Sequence, residues 1–210
     1  MRRILLLLTF VLLTTSAWLA LIAGQVEPVV KNLVYFHVPS SICALICFTL
    51  VLIGGIGFLY GKKLFWDHLA AAAAEVGLVC ATVLNLTGAV FSREQWGTWW
   101  TAEPRLISSA ILWFLYVAYL ILRAGITSTR RRAQICSVFG ITAFLDVPMV
   151  LISARFIKGM HPAKPAFTKA VQSAAFGLSI LASVLLITVL IWLRYDLLKG
   201  KSKLEQELYS

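Results

Sequence analysis

Residues 40–60 read SSICALICFTLVLIGGIGFLY, twenty-one positions from Ser40 to Tyr60 without a Lys, Arg, His, Asp or Glu. About 20 predominantly apolar residues in a helix cross the hydrocarbon core of a bilayer. Inside that core every backbone N–H and C=O must be bonded within the segment, which selects a helix for a single apolar run. Five more stretches meet the same test, so the expected spans are Ile4–Gly24, Ser40–Tyr60, Leu69–Phe91, Leu106–Leu122, Ile135–Ala154 and Ser173–Leu193. The fifth is interrupted by Asp146 and Pro148. Composition agrees: 60% of residues are hydrophobic, 13% are charged and the mean hydropathy is +0.87, whereas soluble domains carry about 25% charged residues. The expected fold is all-α, a polytopic integral membrane bundle of six transmembrane helices, with residues 1–210 forming a single domain. No connection is long enough for a separate globular unit, so any site is built from helix ends and short loops.

A net charge of +10 would suggest nucleic acid as the partner of a soluble chain; here no nucleic acid is expected, because the charge sorts by membrane side. Twelve of the nineteen Lys and Arg fall at one set of helix ends: Arg2, Arg3, Lys62, Lys63, Arg123, Arg130, Arg131, Arg132, Arg194, Lys199, Lys201 and Lys203. Cytoplasmic loops are enriched in these residues. Both termini are therefore expected in the cytoplasm, with Gln25–Pro39, the Trp-rich segment and Arg155–Gln172 facing outward. Arg130, Arg131 and Arg132 read as a topology anchor beside anionic lipid, and His68 as a solvated residue at the cytoplasmic boundary. Met1–Gly24 also has the shape of a signal peptide, but its long apolar run favours a retained first helix. Cys43, Cys47, Cys80 and Cys136 lie in apolar segments without Cys-x-x-Cys spacing, so neither a disulfide framework nor a thiol-redox motif follows. Cys43 and Cys47 read as small packing residues. Glu75 and Asp146 lie at membrane depth, where ionisable groups are costly and often functional; neither is assigned to a site.

The connection between the third and fourth spans carries Trp96-Gly97-Thr98-Trp99-Trp100-Thr101-Ala102-Glu103-Pro104-Arg105. If the segment is helical, Trp96, Trp99, Trp100 and Glu103 share one face, since residues three, four and seven apart stack along a helix. That arrangement is a flat aromatic shelf with charge at one end, suited to a planar, partly apolar ligand with acidic groups. An interfacial aromatic belt is the alternative, although belts scatter one or two aromatics per helix end. Pro104 fits the first turn of the fourth helix. Arg105 then sits near the positive end of the helix dipole, at a cost of some tenths of a kcal/mol that a nearby anion removes. Glu103 or a ligand carboxylate gripped in bidentate fashion would serve. His37, before the second span, and His161, in the last outer loop, flank this shelf on separate loops. Two such imidazoles can ligate a heme iron axially, or they are ordinary interfacial residues.

These residues also carry a resemblance. Trp96-Gly97-Thr98-Trp99-Trp100 followed by an acidic residue and Arg105-Leu106 is similar to the Trp-rich signature of heme-handling proteins. Over most of its length the chain resembles the family of cytochrome c maturation protein C, or heme exporter protein C. Tyr35-Phe36-His37-Val38-Pro39, the Ala-rich opening of the third span from Leu69 to Ala74, Thr87-Gly88, and Pro148 thirteen residues before His161 all belong to the match. The resemblance implies a multi-pass protein of the bacterial inner membrane that holds heme b on its periplasmic face. It implies His37 and His161 as axial ligands, with Trp96, Trp99, Trp100 and Arg105 supporting the heme and its meeting with a periplasmic heme chaperone. It further implies work beside an ATP-binding cassette transporter, in a heme export and transfer complex that serves cytochrome c maturation. The family signature usually continues with a further Trp and an Asp, where this chain has Ala102 and Glu103. Phe156 and Ile157 stand where an aromatic pair often precedes the last outer His.

The leading expectation is thus a heme-binding and heme-delivery protein that is not itself an enzyme, although lyase-like assistance to covalent heme attachment remains open. Two other classes compete. A heme lyase attaching heme directly to apocytochrome would carry more helices and a large outer domain. A small-molecule permease would show repeats and broken helices near the midplane, whereas here the notable residues gather at one face.

Overall fold

The computed structural model of the chain describes residues 2–24, 32–156 and 170–209. Among them the regular structure is entirely helical: α1 (Arg2–Gly24), α2 (Val34–Gly61), α3 (Leu64–Trp96), α4 (Pro104–Gly125), α5 (Thr129–Phe144), α6 (Asp146–Phe156) and α7 (Ala170–Tyr209). Six spans are long and apolar enough to cross a membrane, with α5 and α6 together supplying the fifth. All six expected spans are present, and their ends differ for local reasons.

The second helix begins at Val34, so Pro39 lies inside it instead of ending the loop before it. Proline costs a helix one N–H bond and a clash with the preceding turn. Here, in the second turn of α2, the loss is a single backbone bond, and the helix continues through it. The third helix runs past Phe91 to Trp96 and is stopped by Gly97 at φ +73°, a left-handed conformation that favours glycine. The fourth starts at Pro104, as expected. The fifth span breaks at Leu145, and Asp146 and Pro148 open a new helix, with Pro148 in a first turn where it is tolerated. The last helix has 40 residues. At 1.5 Å per residue that is about 60 Å, twice the hydrocarbon thickness, so its polar C-terminal part continues beyond the apolar span.

The bundle is assembled on the α2–α3 pair, its most extensive interface; α4, α5 and α7 pack around the pair, α6 rests mainly on α4, and α1 mainly on α7. In lipid, helix association depends on close packing and not on expulsion of apolar surface from water, so small residues line the closest contacts. Ala70, Ala71, Ala72, Ala73 and Ala74 are all buried. A Cβ at Gly54 would stand 2.8 Å from the Trp66 carbonyl oxygen and 2.9 Å from the Ala70 Cβ. The rings of Phe48 and Tyr116 stack at 3.7 Å across the core. Cys43, Cys47 and Cys136 are free and buried there. Gly54→Ala is therefore expected to force α2 and α3 apart and to destabilise the fold by about 1–3 kcal/mol, the cost of overpacking. Gly125→Ala, where an added Cβ meets nothing within 4 Å, should leave the detergent melting temperature unchanged. Equal melting of the two variants would refute this account of the interface.

At the end of the bundle where α2 turns into α3, Asp67 and Arg123 form a bidentate pair at 2.7 Å for both bonds, with side chains only 2% and 10% exposed. Beside them His68 is buried, and its Nε2 bonds Ser202 Oγ at 2.9 Å. The expectation of a solvated His68 is thus corrected: the extension of α7 past the apolar span covers it. Glu75 at membrane depth is held by Arg194 of α7, with bonds of 2.6 and 2.8 Å. Asp146 stands in the first turn of α6, and its Oδ2 is buried without a hydrogen-bond partner among the described residues.

Candidate functional site

The opposite end of the bundle carries the residues singled out by sequence. His37 lies in the first turn of α2, not ahead of the helix as expected, because the Leu33 carbonyl already accepts the N–H groups of Phe36 and His37 at 3.0 and 2.8 Å. Its ring points across to α3, where Nδ1 is 2.9 Å from Thr87 Oγ1. The Thr87 hydroxyl sits 2.7 Å from the Val83 carbonyl and 3.1 Å from that of Leu84. A hydroxyl has one proton to give. Where that proton goes to the helix backbone, the oxygen accepts from His37, and Nδ1 then carries the hydrogen and Nε2 the lone pair. The next residue, Gly88, makes room for the ring: a Cβ there would stand 3.3 Å from His37 Cε1.

Nine residues beyond Thr87 along α3, about 13 Å, the aromatic connection begins at Trp96. Trp96 is the last helical residue and meets the Phe91 ring edge-on at 6.0 Å. The chain then turns sharply. Gly97 N–H bonds Arg93 O at 3.0 Å, Ser92 Oγ bonds Thr98 O at 2.8 Å, and Arg93 Nη1 bonds the Gly97 carbonyl. The expected shared helical face of Trp96, Trp99, Trp100 and Glu103 is therefore overturned. A glycine in the left-handed region ends the helix, and Trp99 and Trp100 stand on the non-helical connection that follows. Both indoles are open, 59% and 44% exposed, and the Arg93 guanidinium lies 6.0 Å over the Trp99 ring. Arg93 was absent from the expected site; nothing in its position signalled it without the turn.

Glu103 ends the connection. Its carbonyl accepts from Leu106 and Ile107 at 2.9 and 3.0 Å, so its backbone starts α4, while its carboxylate Oε2 is buried without a hydrogen-bond partner among the described residues. Arg105 is half-buried in the first turn of α4, where Glu103 acts on it electrostatically. The fourth helix is clamped to α3 by Trp113 Nε1 donating to Thr82 Oγ1 at 2.8 Å and Ser109 Oγ to Asn85 Oδ1 at 3.0 Å. His161 lies outside the described residues. The structure thus joins His37 to Thr87 and Gly88, and gathers Trp96, Trp99, Trp100, Glu103 and Arg105 on one tied connection. Thr87 was visible in sequence as part of Thr87-Gly88; its role was not, because the pairing spans fifty residues.

These features suit heme better than a bare metal ion. A heme iron brings its own four ring nitrogens and asks the protein only for axial donors, which an imidazole held at its other nitrogen by a hydroxyl can supply. Trp99 and Trp100 offer exposed indole faces on the connection after α3, and Arg105 offers a cation at the start of α4.

Fold and site together define a polytopic helical membrane protein with an imidazole and an aromatic connection displayed at one membrane face. The family model for heme exporter protein C, CcmC, matches residues 1–204. The chain belongs to that family. It is 31% identical over 141 residues to heme exporter protein C of Rhodobacter capsulatus, covering 67% of this chain and 58% of the relative. It is 26% identical over 164 residues to heme exporter protein C of Escherichia coli K12, covering 73% and 66%. A similar match, 25% over 169 residues and covering 80% and 68%, is to a putative cytochrome c biosynthesis ccmC-like mitochondrial protein of Marchantia polymorpha. The chain spans about three fifths of the length of the first of these relatives.

Proposed function

We propose that this chain binds heme b at the periplasmic face of a bacterial inner membrane and delivers it to a periplasmic heme chaperone during cytochrome c maturation. His37 and His161 serve as the axial ligands. Trp96, Trp99 and Trp100 support the porphyrin and the docking of the chaperone, and Arg105, beside Glu103, compensates a propionate. The chain acts within an export complex that includes ATP-binding cassette transporter subunits. Both termini lie in the cytoplasm, and the whole described chain works as one heme-handling unit without chemistry of its own.

The observation that carries this reading is the bond between His37 Nδ1 and Thr87 Oγ1. Histidines that ligate a metal characteristically donate their second N–H to a fixed acceptor, which sets tautomer and orientation. The majority of Lys and Arg at the other end supports the orientation, and membership of the heme exporter family supports heme as cargo. The test is a reduced-minus-oxidised absorption spectrum of the purified protein beside His37→Ala/His161→Ala. A Soret band with sharp low-spin α and β bands, lost in the double variant, is expected. A colourless wild type from heme-replete cells expressing its partners, or unchanged heme in the double variant, would overturn the reading.

A further inference from the structure

At the end of the bundle away from the indoles, an open groove of about 870 Å³ lies between the α2–α3 turn, the α4–α5 connection and the extended part of α7. Among the described residues, four cations line it, Lys62, Arg130, Arg132 and Lys201, against a single carboxylate, Glu205. That carboxylate is engaged only loosely, 3.9 Å from an exposed Lys201, and is itself partly exposed. Arg132 Nε is buried and has no hydrogen-bond partner among the described residues. Lys62 is held over the groove by its left-handed backbone, φ 52°, with its ammonium 5.9 Å from the Phe58 ring. The fifth helix starts here. Ser128 precedes it without a side-chain cap, and its first turn contains no acidic residue, so the amides that open a helix lie beside the cations.

Uncompensated cations, a guanidinium with an unused N–H and an uncapped helix start are the components of a phosphate site. A topology signal needs only that cations lie on one side of the membrane; it does not need them to converge on a cavity. The floor at Phe58 and Leu64 is apolar and continues into the spans. We propose that this groove binds a phosphate-bearing anion. The phosphate is either the headgroup of an anionic phospholipid entering from the adjacent leaflet or a soluble polyphosphate.

The triple Arg run supplies its own control, since Arg131 does not line the groove and is exposed. The full-length protein is placed in nanodiscs of phosphatidylcholine with or without phosphatidylglycerol, and the lipid it retains is read by native mass spectrometry. Pyrophosphate is titrated calorimetrically into the phosphatidylcholine discs. With about 1 kcal/mol per cation near an anionic surface, binding is expected to weaken about five-fold for each cation removed in Lys62→Gln/Arg132→Gln, and to be unchanged in Arg131→Gln. Retained phosphatidylglycerol identifies the headgroup as the source. Pyrophosphate binding in its absence, lost in the same variant, identifies a soluble ligand. Failure of the wild type to bind either anion, or an equal loss in Arg131→Gln, overturns the proposal. If Lys62→Gln/Arg132→Gln loses helicity, Arg130→Gln/Lys201→Gln at the rim is used, with the same two outcomes deciding.

Discussion

Replacing His37 by alanine is expected to remove bound heme almost completely, while Thr87→Val should weaken heme binding by about 10–100-fold without abolishing it, the usual cost of losing the group that orients a metal-ligating imidazole. The distinction rests on what each change takes away. His37→Ala deletes the donor. Thr87→Val keeps shape and volume but deletes the acceptor of the Nδ1 hydrogen, 2.9 Å away. The ring then loses the bond at Nδ1 that favours this tautomer, and a smaller fraction of molecules presents Nε2 with its lone pair. Thr87→Ser, which retains the hydroxyl, should recover most of the affinity. Heme titration of the purified variants, followed by the Soret band, gives the ordering directly: wild type, then Ser, then Val, then the alanine variant of His37. If Thr87→Val matches wild type while His37→Ala loses heme, His37 remains a ligand but its orientation is set elsewhere.

The largest stability effect is expected at the other end of the bundle. Asp67 and Arg123 share two bonds of 2.7 Å and are almost wholly removed from solvent. Removing one partner of such a pair leaves an uncompensated buried charge, a loss of about 3–5 kcal/mol, whereas replacing both by apolar residues of similar volume is often neutral. Arg123→Met and Asp67→Leu should each lower the stability of the purified protein by that amount. The double replacement should restore most of it, giving a coupling energy nearly as large as either single effect. Denaturation in mixed micelles, with the four proteins compared as a double-mutant cycle, measures it. Single variants within about 0.5 kcal/mol of wild type would show that the pair is solvated in the folded protein and contributes little.

The spans were legible because each of them carries enough apolar residues to declare itself without reference to any other. Their ends were less legible. Pro39 reads as a stop, yet α2 begins five residues earlier and runs through it, because one missing backbone bond does not end a helix packed against its neighbours. The stretch after Leu193 looks like a polar tail, yet the chain continues as α7 to Tyr209 and buries His68, a contact between positions 134 residues apart. Trp96, Trp99 and Trp100 were found by their density, and Arg105 by its place after Pro104. Their mutual arrangement was misjudged, since a periodicity argument assumes a continuous helix and Gly97 interrupts it. The partner of His37 was hidden for a different reason: Thr87 is an ordinary membrane-helix residue until another helix brings an imidazole to it.

The turn at Gly97 has a further consequence for timing. A connection whose Gly97, Thr98 and Trp100 carbonyls are already engaged by Arg93, Ser92 and Thr98 has less conformational search left to perform than an untied loop. On the proposed heme-delivery reading, an incoming porphyrin or protein surface would meet Trp99 and Trp100 on a chain already tied in place. Capture would then proceed at the pace of diffusion and orientation of the visitor, and the residence time, set by how many contacts must break together, would be the quantity that a downstream acceptor has to beat.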